Sequence, residues 1–424
     1  MDKDKVLLEF EKALYMAITG RPGPVLIDLP VDIQGSRIEY TEPPVISKPE
    51  IYKKTFRLWD FAFERPLILA GGGIRAAHAT KEFREFVHET GIPVVVSLMG
   101  LDVMDHSDEC FVGFIGGYGN RYANMAVQNA DLILVLGSRL DMRQTGKRRD
   151  LFAPNAKIIH VDIDPTELGH YVEEECSIQA DVKTFLQVEL RELPNEIKSF
   201  DEWKRKIHQW KEYYSDASEF EEQNEWNPNR LLNIISRYIA RKTIVTSDVG
   251  QNQMWLAQSL RADEIRILNS GGLGTMGYSL PAAIGACFGK IQDDVFTTVV
   301  AYMGDGGLQM NIQELQVVGS YRLPIAVVVW NNHALGLIRD IQKKYYDCRY
   351  VGSVTGFSTP DLEQLAKAYR LNYCKVSNIS QLEEIFSSFS DLMPIIIEIV
   401  LDENTYVRPE LLGQDGLDHQ FPYR

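Results

Sequence analysis

Two short apolar runs, each followed at once by residues with oxygen-bearing side chains, constrain the fold of this chain most strongly. Residues 297–302 precede the sequence Met-Gly-Asp-Gly-Gly at 303–307, and residues 325–330 precede Asn-Asn at 331–332. Short runs rich in Val and Ile are typical of buried parallel strands. With a helix predicted at 311–320 between them, the pattern indicates one βαβ unit whose two strand ends lie side by side.

An acid and a carboxamide stand at those two strand ends. The Asp305 carboxylate and the Asn332 amide oxygen are hard oxygen ligands of the kind that Mg²⁺ accepts, and Mg²⁺ usually completes its shell with phosphate and water. The glycines Gly304, Gly306 and Gly307 let backbone amides approach a diphosphate at a helix N-terminus. The alternative is an ordinary strand-to-helix turn with a capping Asp, followed by an unrelated Asn-Asn turn.

The two halves together resemble the thiamine diphosphate signature, in which Gly-Asp-Gly is followed further along the chain by Asn-Asn. Three more blocks occur in the family's order: SDVGQNQMW at 247–255, SGGLGTMGY at 270–278 and LPAAIGA at 280–286. They narrow the resemblance to the acetohydroxyacid (acetolactate) synthase branch of thiamine-diphosphate-dependent enzymes.

The resemblance implies a set of ligands for thiamine diphosphate and Mg²⁺. Asp305, Asn332 and the backbone carbonyl of Ala334 would bind Mg²⁺. Met276 would hold the cofactor bent, a role that suits a flexible, apolar thioether. The remaining cofactor contacts would be Gln251, Asn252, Gly274, Gly304, Gly306, Gly307, Leu335 and Gly336. Asn252 departs from the family, which usually has His there, because an amide can donate a hydrogen bond but carries no charge.

A second α/β unit is predicted before this one. Strands at 66–70, 94–97, 132–136 and 158–162 and a helix at 75–90 form a doubly wound pattern, which binds ligands at the carboxyl ends of its strands. The residues at those ends resemble the FAD-binding middle domain of the same synthases, where the flavin is largely structural. The matching positions are Gly71, Gly72, Gly73, Gly137, Arg139, Asp162, Ile163, Asp181 and Val182. An ADP-type ligand or an empty crevice is the alternative.

Arg143 falls where the family uses an arginine to grip the carboxylate of the incoming second 2-keto acid, and a planar guanidinium suits that task. The alternative is a surface arginine beside the basic run at 147–149.

Met142 and the sequence RDIQ at 339–342 depart from the biosynthetic synthases, and YGNRYAN at 118–124 resembles synthase-like members of surface-polysaccharide pathways. These departures leave the acceptor open and weaken a role in amino-acid biosynthesis.

The N-terminal region is expected to be a helix at 5–18 and a strand at 25–29. The sequence at 20–30, GRPGPVLIDLP, resembles the closing segment of the family's N-terminal pyrimidine-binding domain, so most of that domain is expected to be absent. A glutamate of that domain activates the cofactor in the family. Glu9, Glu11 and Glu39 do not occupy its motif, so no catalytic glutamate is assigned.

The expected organisation is therefore two doubly wound, mostly parallel α/β domains and a short remnant of a third. The predicted bounds are 1–40 for the remnant, 41–56 for a linker, 57–195 for the central domain, 196–225 for a helical connector and 226–424 for the C-terminal domain. In the connector, apolar Trp203, Ile207, Trp210 and Tyr214 recur at helical spacing and predict a packed amphipathic helix. The tail from 404 is expected either to cover the site or to hang free.

Composition excludes several classes of protein. A net charge of −15 disfavours a nucleic-acid partner, which normally requires a basic patch. No run is long and apolar enough for a membrane span or a signal sequence, so no membrane role and a cytoplasmic location are expected. The five cysteines form no Cys-x-x-Cys pair and are expected to be reduced thiols.

The resemblance implies a transferase that decarboxylates pyruvate with thiamine diphosphate, Mg²⁺ and possibly FAD, and passes the two-carbon unit to a second carbonyl compound. A homo-oligomer is expected, and a complete site would need a partner chain, possibly a separate chain carrying the N-terminal domain. Two alternatives stay open: a truncated, inactive protein that binds thiamine diphosphate and Mg²⁺, or a relative of the flavin-dependent pyruvate oxidases.

Overall fold

Two six-stranded, all-parallel sheets with flanking helices form the protein, which confirms the predicted fold class. The computed structural model describes residues 3–38, 57–215, 219, 226–291, 298–413 and 415–423. The predicted linker at 41–56 and Glu39 lie outside these ranges. None of the helices within them combines the length and the apolar composition that a membrane span requires.

In the first sheet, the chain adds strands on one side of a central strand and then on the other. Its strands are β1 Pro66–Ala70, β2 Val94–Val96, β3 Phe111–Phe114, β4 Leu132–Leu136, β5 Lys157–Asp162 and β6 Cys176–Gln179, in the order β3-β2-β1-β4-β5-β6. The chain runs outward on one side of β1 and then returns to the other side with β4. The crevice between the carboxyl ends of β1 and β4 is therefore the topological switch point, where doubly wound sheets bind ligands.

The second sheet places the two motifs side by side. Its strands are β7 Ile244–Ser247, β8 Arg266–Asn269, β9 Val299–Gly304, β10 Ile325–Asn331, β11 Asn372–Val376 and β12 Ile395–Val400, in the order β11-β12-β10-β9-β7-β8. Strands β9 and β10 pair in parallel, with Val299 opposite Ile325 and Gly304 opposite Trp330. Both strands are almost wholly buried, as their runs of Val and Ile predict.

Sixteen α-helices lie in the described ranges, and a short antiparallel pair, β13 Glu410–Leu411 and β14 Gln420–Phe421, lies near the C-terminus. The helices are α1 Val6–Ile18, α2 Val31–Gln34, α3 Gly73–Ala76, α4 Thr80–Thr90, α5 Arg121–Asn129, α6 Met142–Thr145, α7 Val182–Arg191, α8 Asp201–Tyr213, α9 Pro228–Ser236, α10 Gln251–Ser259, α11 Ser279–Ile291, α12 Asp305–Met310, α13 Leu315–Tyr321, α14 Gly336–Tyr345, α15 Leu362–Tyr369 and α16 Ile379–Ser388.

Two local predictions are wrong. The helix predicted at 75–90 is broken into α3 and α4 at His78, whose φ of 52° is left-handed and cannot continue a right-handed helix. The segment 25–29, predicted as a strand, forms no strand and pairs with none in the described part of the chain. The helix predicted at 311–320 is confirmed: a 3₁₀ turn, Ile312–Glu314, leads into α13, and a separate helix, α12, follows β9 directly.

The connector helix and the C-terminal tail both pack onto the rest of the protein. In α8, Trp203 and Ile207 are buried, and Trp203 Nε1 donates to the Pro66 carbonyl at 3.0 Å, which confirms the predicted packed helix. In the tail, Val407 and Leu417 are buried. The tail therefore covers the protein, and the alternative of a free tail is wrong.

Candidate functional site

A small cavity of about 160 Å³ lies at the carboxyl ends of β9 and β10. All but one of the residues predicted to hold thiamine diphosphate and Mg²⁺ line it. They are Gln251, Asn252, Met276, Gly304, Asp305, Gly306, Gly307, Asn332, Ala334, Leu335 and Gly336. The exception is Gly274, which lines a larger neighbouring cavity. Segments far apart in the sequence therefore meet here because three helices, α10, α12 and α14, begin at this edge of the sheet.

The Asp305 carboxylate is almost completely buried in this cavity, with 2 % of the residue exposed. Its Oδ1 accepts a hydrogen bond from the Gly306 amide at 2.9 Å, and its Oδ2 accepts one from the Thr359 hydroxyl at 3.1 Å. Burial raises the pKa of Asp305 to about 6, although both hydrogen bonds act in the opposite direction. A buried carboxylate with so little compensation is a group that a bound cation would stabilise.

The two consecutive asparagines face different partners. Asn331 Nδ2 donates to Glu398 of β12 at 2.7 Å, and its Oδ1 accepts from the His333 amide at 3.2 Å. Asn332 Nδ2 instead donates to Gln251 Oε1 at 3.1 Å. Asn331 therefore secures the turn, and Asn332 is the asparagine that faces the cavity. The left-handed His333, with a φ of 55°, brings Ala334 to the same cavity.

Two of the glycines in the cavity wall allow close packing. A Cβ on Gly306 would stand 2.9 Å from Met276 Cε and 2.5 Å from Leu335 Cδ2. A Cβ on Gly336 would stand 1.9 Å from Gln251 Oε1. These positions have no room for a side chain, so the glycines are needed by the protein's own packing as well as by any ligand.

Asp248 is a buried acid to which sequence reasoning assigned no role. It is fully buried after β7, where it accepts from the amides of Gly277 at 2.9 Å and Ser279 at 3.2 Å. Burial raises the pKa of its carboxyl group. It also lies 3.0 Å from the place of a Cβ on Gly307, so it fixes the loop that carries Met276 against the start of α12. The sequence feature that could have identified Asp248 is its position directly after a buried strand.

Thr359 was also missed, and the sequence holds no signal for it. Its hydroxyl reaches Asp305 Oδ2 from a loop 54 residues further along the chain. No motif surrounds it, and only the folded loop brings it to the carboxylate.

The donor set of the small cavity fits Mg²⁺ better than a softer metal. Within the described residues, no group of three or more His, Cys, Asp or Glu side chains could hold a metal ion. The cavity is instead lined by Asp305, Asn332 and Ala334, which carry a carboxylate, an amide oxygen and a backbone carbonyl. Such a hard, incomplete oxygen set matches Mg²⁺, which takes its other ligands from phosphate and water.

The larger cavity, of about 710 Å³, lies at the switch point between β1 and β4. Its volume is within the range of small-molecule and cofactor sites. It is lined by all but one of the predicted flavin positions: Gly72, Gly73, Gly137, Arg139, Asp162, Ile163, Asp181 and Val182. The exception is Gly71, which supports the fold because a Cβ there would stand 2.1 Å from the Gly137 carbonyl oxygen.

Two carboxylates that line the larger cavity have different hydrogen-bond partners. Asp181 caps helix α7, and its Oδ1 accepts from the Thr184 amide at 3.0 Å. Asp162 accepts from the Asp164 amide at 2.9 Å, and burial raises its pKa. The N-terminal segment closes one side of the cavity, because Arg21 lines it and donates to Asp164 at 2.8 Å.

Arg143 lies in the wall of the larger cavity. Its Nη1 donates to the carbonyl of Gly271 at 3.0 Å. Both of its terminal nitrogens are within 4 Å of the place of a Cβ on Gly274. Val249 and Leu337 line both cavities. A substrate carboxylate bound by Arg143 would therefore lie beside the loop that carries Met276.

Two family models match the chain. Residues 62–188 match the central domain of thiamine pyrophosphate enzymes, and residues 248–399 match their C-terminal TPP-binding domain.

Curated relatives match over most of the chain. The acetolactate synthase large subunit of Lactococcus lactis subsp. lactis (strain IL1403) is 35 % identical over 410 residues, which are 94 % of this chain and 70 % of that protein. The acetolactate synthase large subunit of Cyanidium caldarium is 35 % identical over 416 residues, 93 % of this chain and 70 % of that protein. A probable acetolactate synthase large subunit of Methanocaldococcus jannaschii is 34 % identical over 415 residues, 93 % of this chain and 69 % of that protein.

Proposed function

This chain belongs to the acetolactate synthase large-subunit family of thiamine-diphosphate-dependent enzymes, and from that premise we propose how its own residues serve an acetolactate synthase-like reaction. The reaction is the decarboxylation of pyruvate and the transfer of the two-carbon unit to a second keto compound. The observation that carries the proposal is the meeting of Asp305 and Asn332, from two strand ends, in one buried cavity.

Asp305, Asn332 and the carbonyl of Ala334 would hold Mg²⁺, and through it the diphosphate group. Thiamine diphosphate, when bound, supplies the electron sink that decarboxylation of a 2-keto acid requires. Met276 and Leu335 crowd over Gly306 and form an apolar wall. That wall would orient a bound cofactor and exclude water from it.

Arg143 binds the carboxylate of the second keto acid. Its guanidinium donates to the Gly271 carbonyl in the wall of the larger cavity, so it already faces the loop that carries Met276. Met142 beside it is 56 % exposed and offers an apolar surface to the rest of the acceptor. Arg143 and Met142 together select the acceptor.

The larger cavity binds FAD, with an ADP-type ligand as the alternative. Its position at the β1/β4 switch point, its volume and its glycine-rich wall support a dinucleotide. Purified protein that carries a flavin absorbance band, released on denaturation, would support FAD. A nucleotide absorbing only near 260 nm would support the alternative.

The glutamate that activates the cofactor comes from a pyrimidine-binding domain outside this cavity. Among the described residues that line the small cavity there is no glutamate. A pyrimidine-binding domain outside the described residues would supply it. The relatives are named large subunits, which supports assembly with a partner.

The test is Mg²⁺-dependent stabilisation by thiamine diphosphate. In Asp305→Ala, we expect added Mg²⁺ and thiamine diphosphate to give no rise in the thermal midpoint, because the carboxylate ligand is gone. Asp391→Ala, which removes an exposed carboxylate from the same domain, is the control and should keep the full rise. An undiminished rise in Asp305→Ala would refute the metal site.

Consumption of pyruvate is measured in the same samples. Stabilisation with pyruvate consumed supports the synthase-like activity. Stabilisation without pyruvate consumption, in the presence of every partner chain that co-purifies, would indicate a binding protein without this activity.

A further inference from the structure

Gln251 connects the predicted metal ligand Asn332 to the C-terminal tail. Its Oε1 accepts from Asn332 Nδ2 at 3.1 Å, and its Nε2 donates to the backbone carbonyl of Thr405 at 3.0 Å. The sequence predicts a diphosphate contact for Gln251. In the structure both ends of its amide are already used, and all three residues are nearly buried.

The Thr405 carbonyl fixes the direction of this whole chain of hydrogen bonds. A backbone carbonyl can only accept, so Gln251 must present its NH₂ group to Thr405 and its oxygen to Asn332. An oxygen in that place can only accept, so Asn332 must present its NH₂ group to Gln251. The Asn332 Oδ1 is then the atom that remains for a metal ion.

The segment that carries Thr405 is firmly attached. We call residues 402–413 the C-terminal strap. The Tyr406 ring lies among three cationic side chains, with centroid distances of 4.7 Å to Arg339, 4.4 Å to Lys343 and 5.1 Å to Arg408. Arg339 also donates to the Thr405 carbonyl at 3.2 Å, and Trp255 Nε1 donates to the Tyr406 carbonyl at 3.3 Å.

Arg339 shows that the docked strap is part of the folded site. This residue is 2 % exposed, and two of its nitrogens, Nε and Nη1, have no hydrogen-bond partner in the described structure. The strap provides this buried charge with a hydrogen-bond acceptor, the Thr405 carbonyl, and with a cation–π contact to the Tyr406 ring. Release of the strap would expose Arg339 and free the Gln251 amide to rotate.

We propose that the C-terminal strap is a positioning element for the metal site, acting through Gln251, which orients Asn332 so that its Oδ1 faces the Mg²⁺ ion. This inference rests on the proposed function, because it assumes that the small cavity binds Mg²⁺ with thiamine diphosphate. Gln251 is thus a positioning residue between Asn332 and the strap.

The proposal has a reciprocal consequence. If docking of the strap favours Mg²⁺ binding, Mg²⁺ binding must favour docking of the strap by the same factor. A docked strap is therefore expected to exchange its amide hydrogens more slowly when Mg²⁺ and thiamine diphosphate are present.

The test measures the Mg²⁺ concentration that gives half of the thermal stabilisation at saturating thiamine diphosphate, for the full chain. Tyr406→Ala removes the ring that docks the strap and touches neither cavity. We expect it to raise the half-saturating Mg²⁺ concentration on the order of fivefold or more. Tyr406→Phe, which keeps the ring, and Tyr423→Ala, which removes an exposed tyrosine near the C-terminus, are matched controls and should leave it unchanged.

Gln251→Met is the second variant, because it keeps the size of the side chain and removes both hydrogen bonds. It should raise the same concentration roughly tenfold. In addition, Mg²⁺ with thiamine diphosphate should slow hydrogen exchange in the strap of the wild type and not in Gln251→Met. Circular dichroism and the thermal midpoint without ligand establish that each variant is folded.

The outcomes separate the two proposals. Wild-type protein that is not stabilised by Mg²⁺ and thiamine diphosphate would overturn the proposed function and this inference with it. Wild-type stabilisation with an unchanged Mg²⁺ requirement in Tyr406→Ala, whose strap exchanges faster, would overturn the inference alone. An unchanged requirement in Gln251→Met would do the same.

Discussion

At the scale of single residues, the orientation of the Asp305 carboxylate depends on one hydroxyl group, that of Thr359. Thr359 and the Gly306 amide each hold one of its oxygens, so the carboxylate has a fixed orientation in the cavity. Groups that orient a metal ligand commonly change metal affinity when they are removed, even though they never touch the metal.

Thr359→Val is the first residue-scale prediction. Valine keeps the shape of threonine but loses the hydroxyl, so Asp305 Oδ2 is left without its donor. We expect the half-saturating Mg²⁺ concentration for stabilisation by thiamine diphosphate to rise roughly tenfold. Thr359→Ser should restore the wild-type value. Thr355→Val, on the exposed side of the same loop, is the control. A valine variant with the wild-type Mg²⁺ requirement would contradict the role of the hydroxyl group.

The second residue-scale prediction concerns Arg143→Ala. In enzyme assembled with whatever chain completes its site, pyruvate should still be decarboxylated, while use of the second keto acid falls at least roughly tenfold because a charge-assisted hydrogen bond is lost. Arg143→Lys should recover only part of the loss, since an ammonium group lacks the planar fork. Arg148→Ala, an exposed neighbour paired with Asp150, should change neither step. An equal loss in both steps would contradict the acceptor role.

Sequence reasoning located the site residues that belong to contiguous motifs. Asp305 and Asn332 were expected to converge because buried parallel strands end at one edge, and they do. Thr359 and the Gln251–Thr405 hydrogen bond could not be found this way. Both depend on loops whose paths are set by tertiary packing, and no local pattern encodes that packing.

At the scale of elements, strands β1 and β4 separate the two halves of the first sheet, and glycines allow the turns after them to touch. Gly137 has a left-handed φ of 57°, and the Gly71 backbone lies against its carbonyl. This close approach forms the floor of the larger cavity. It is a property of the two elements together, since either glycine alone reads as an ordinary turn residue.

Gly71→Ala therefore should destabilise the fold. The new Cβ would stand 2.1 Å from the Gly137 carbonyl oxygen, which is backbone and cannot turn away. We expect the free energy of unfolding to fall by about 1–3 kcal/mol or more, measured in urea. Gly285→Ala is the matched control, because it lies exposed in α11 with no atom within 4 Å of the new Cβ. It should stabilise by up to about 1 kcal/mol. Equal effects of the two changes would contradict the close contact.

The strands that sequence reasoning missed lack a continuous run of large apolar residues. Strand β3 contains Gly113, where a Cβ would stand 2.9 Å from Tyr122, so its glycine reflects a packing contact and breaks the apolar pattern. Strands β6 and β11 lie at sheet edges and carry polar residues. The central strands, buried on both faces, gave the continuous apolar runs that make prediction possible.

At the scale of the whole molecule, a buried histidine joins the two sheet-containing units. His106, in a loop of the first unit, stacks on Phe111 with ring centroids 4.6 Å apart. Its Nε2 lies 2.6 Å from the Leu101 carbonyl, and its Nδ1 lies 3.0 Å from the Leu260 carbonyl and 3.4 Å from the Ala262 amide of the second unit. A neutral imidazole donates from one nitrogen only, so it can donate to one of these two carbonyls at a time. Nothing local in the sequence pairs His106 with a residue so far along the chain.

This histidine predicts an acid-dependent loss of stability. Burial lowers the pKa of His106 from 6.5 to about 4, with nearby Arg261 acting in the same direction and Asp263 against it. Between those values the unfolded chain binds a proton that the folded protein does not. Stability is therefore full above about pH 6.5 and falls as the pH drops toward 4, by on the order of 3 kcal/mol.

The measurement is the free energy of unfolding as a function of pH for the wild type and His106→Gln. Glutamine can donate to a facing carbonyl but does not titrate, so the variant should lose this part of the slope between pH 6.5 and 4. His88→Gln, an exposed histidine on α4, should keep the wild-type slope. If His106→Gln kept it as well, the slope would arise from other groups, and the contact between the two units would not depend on a neutral imidazole.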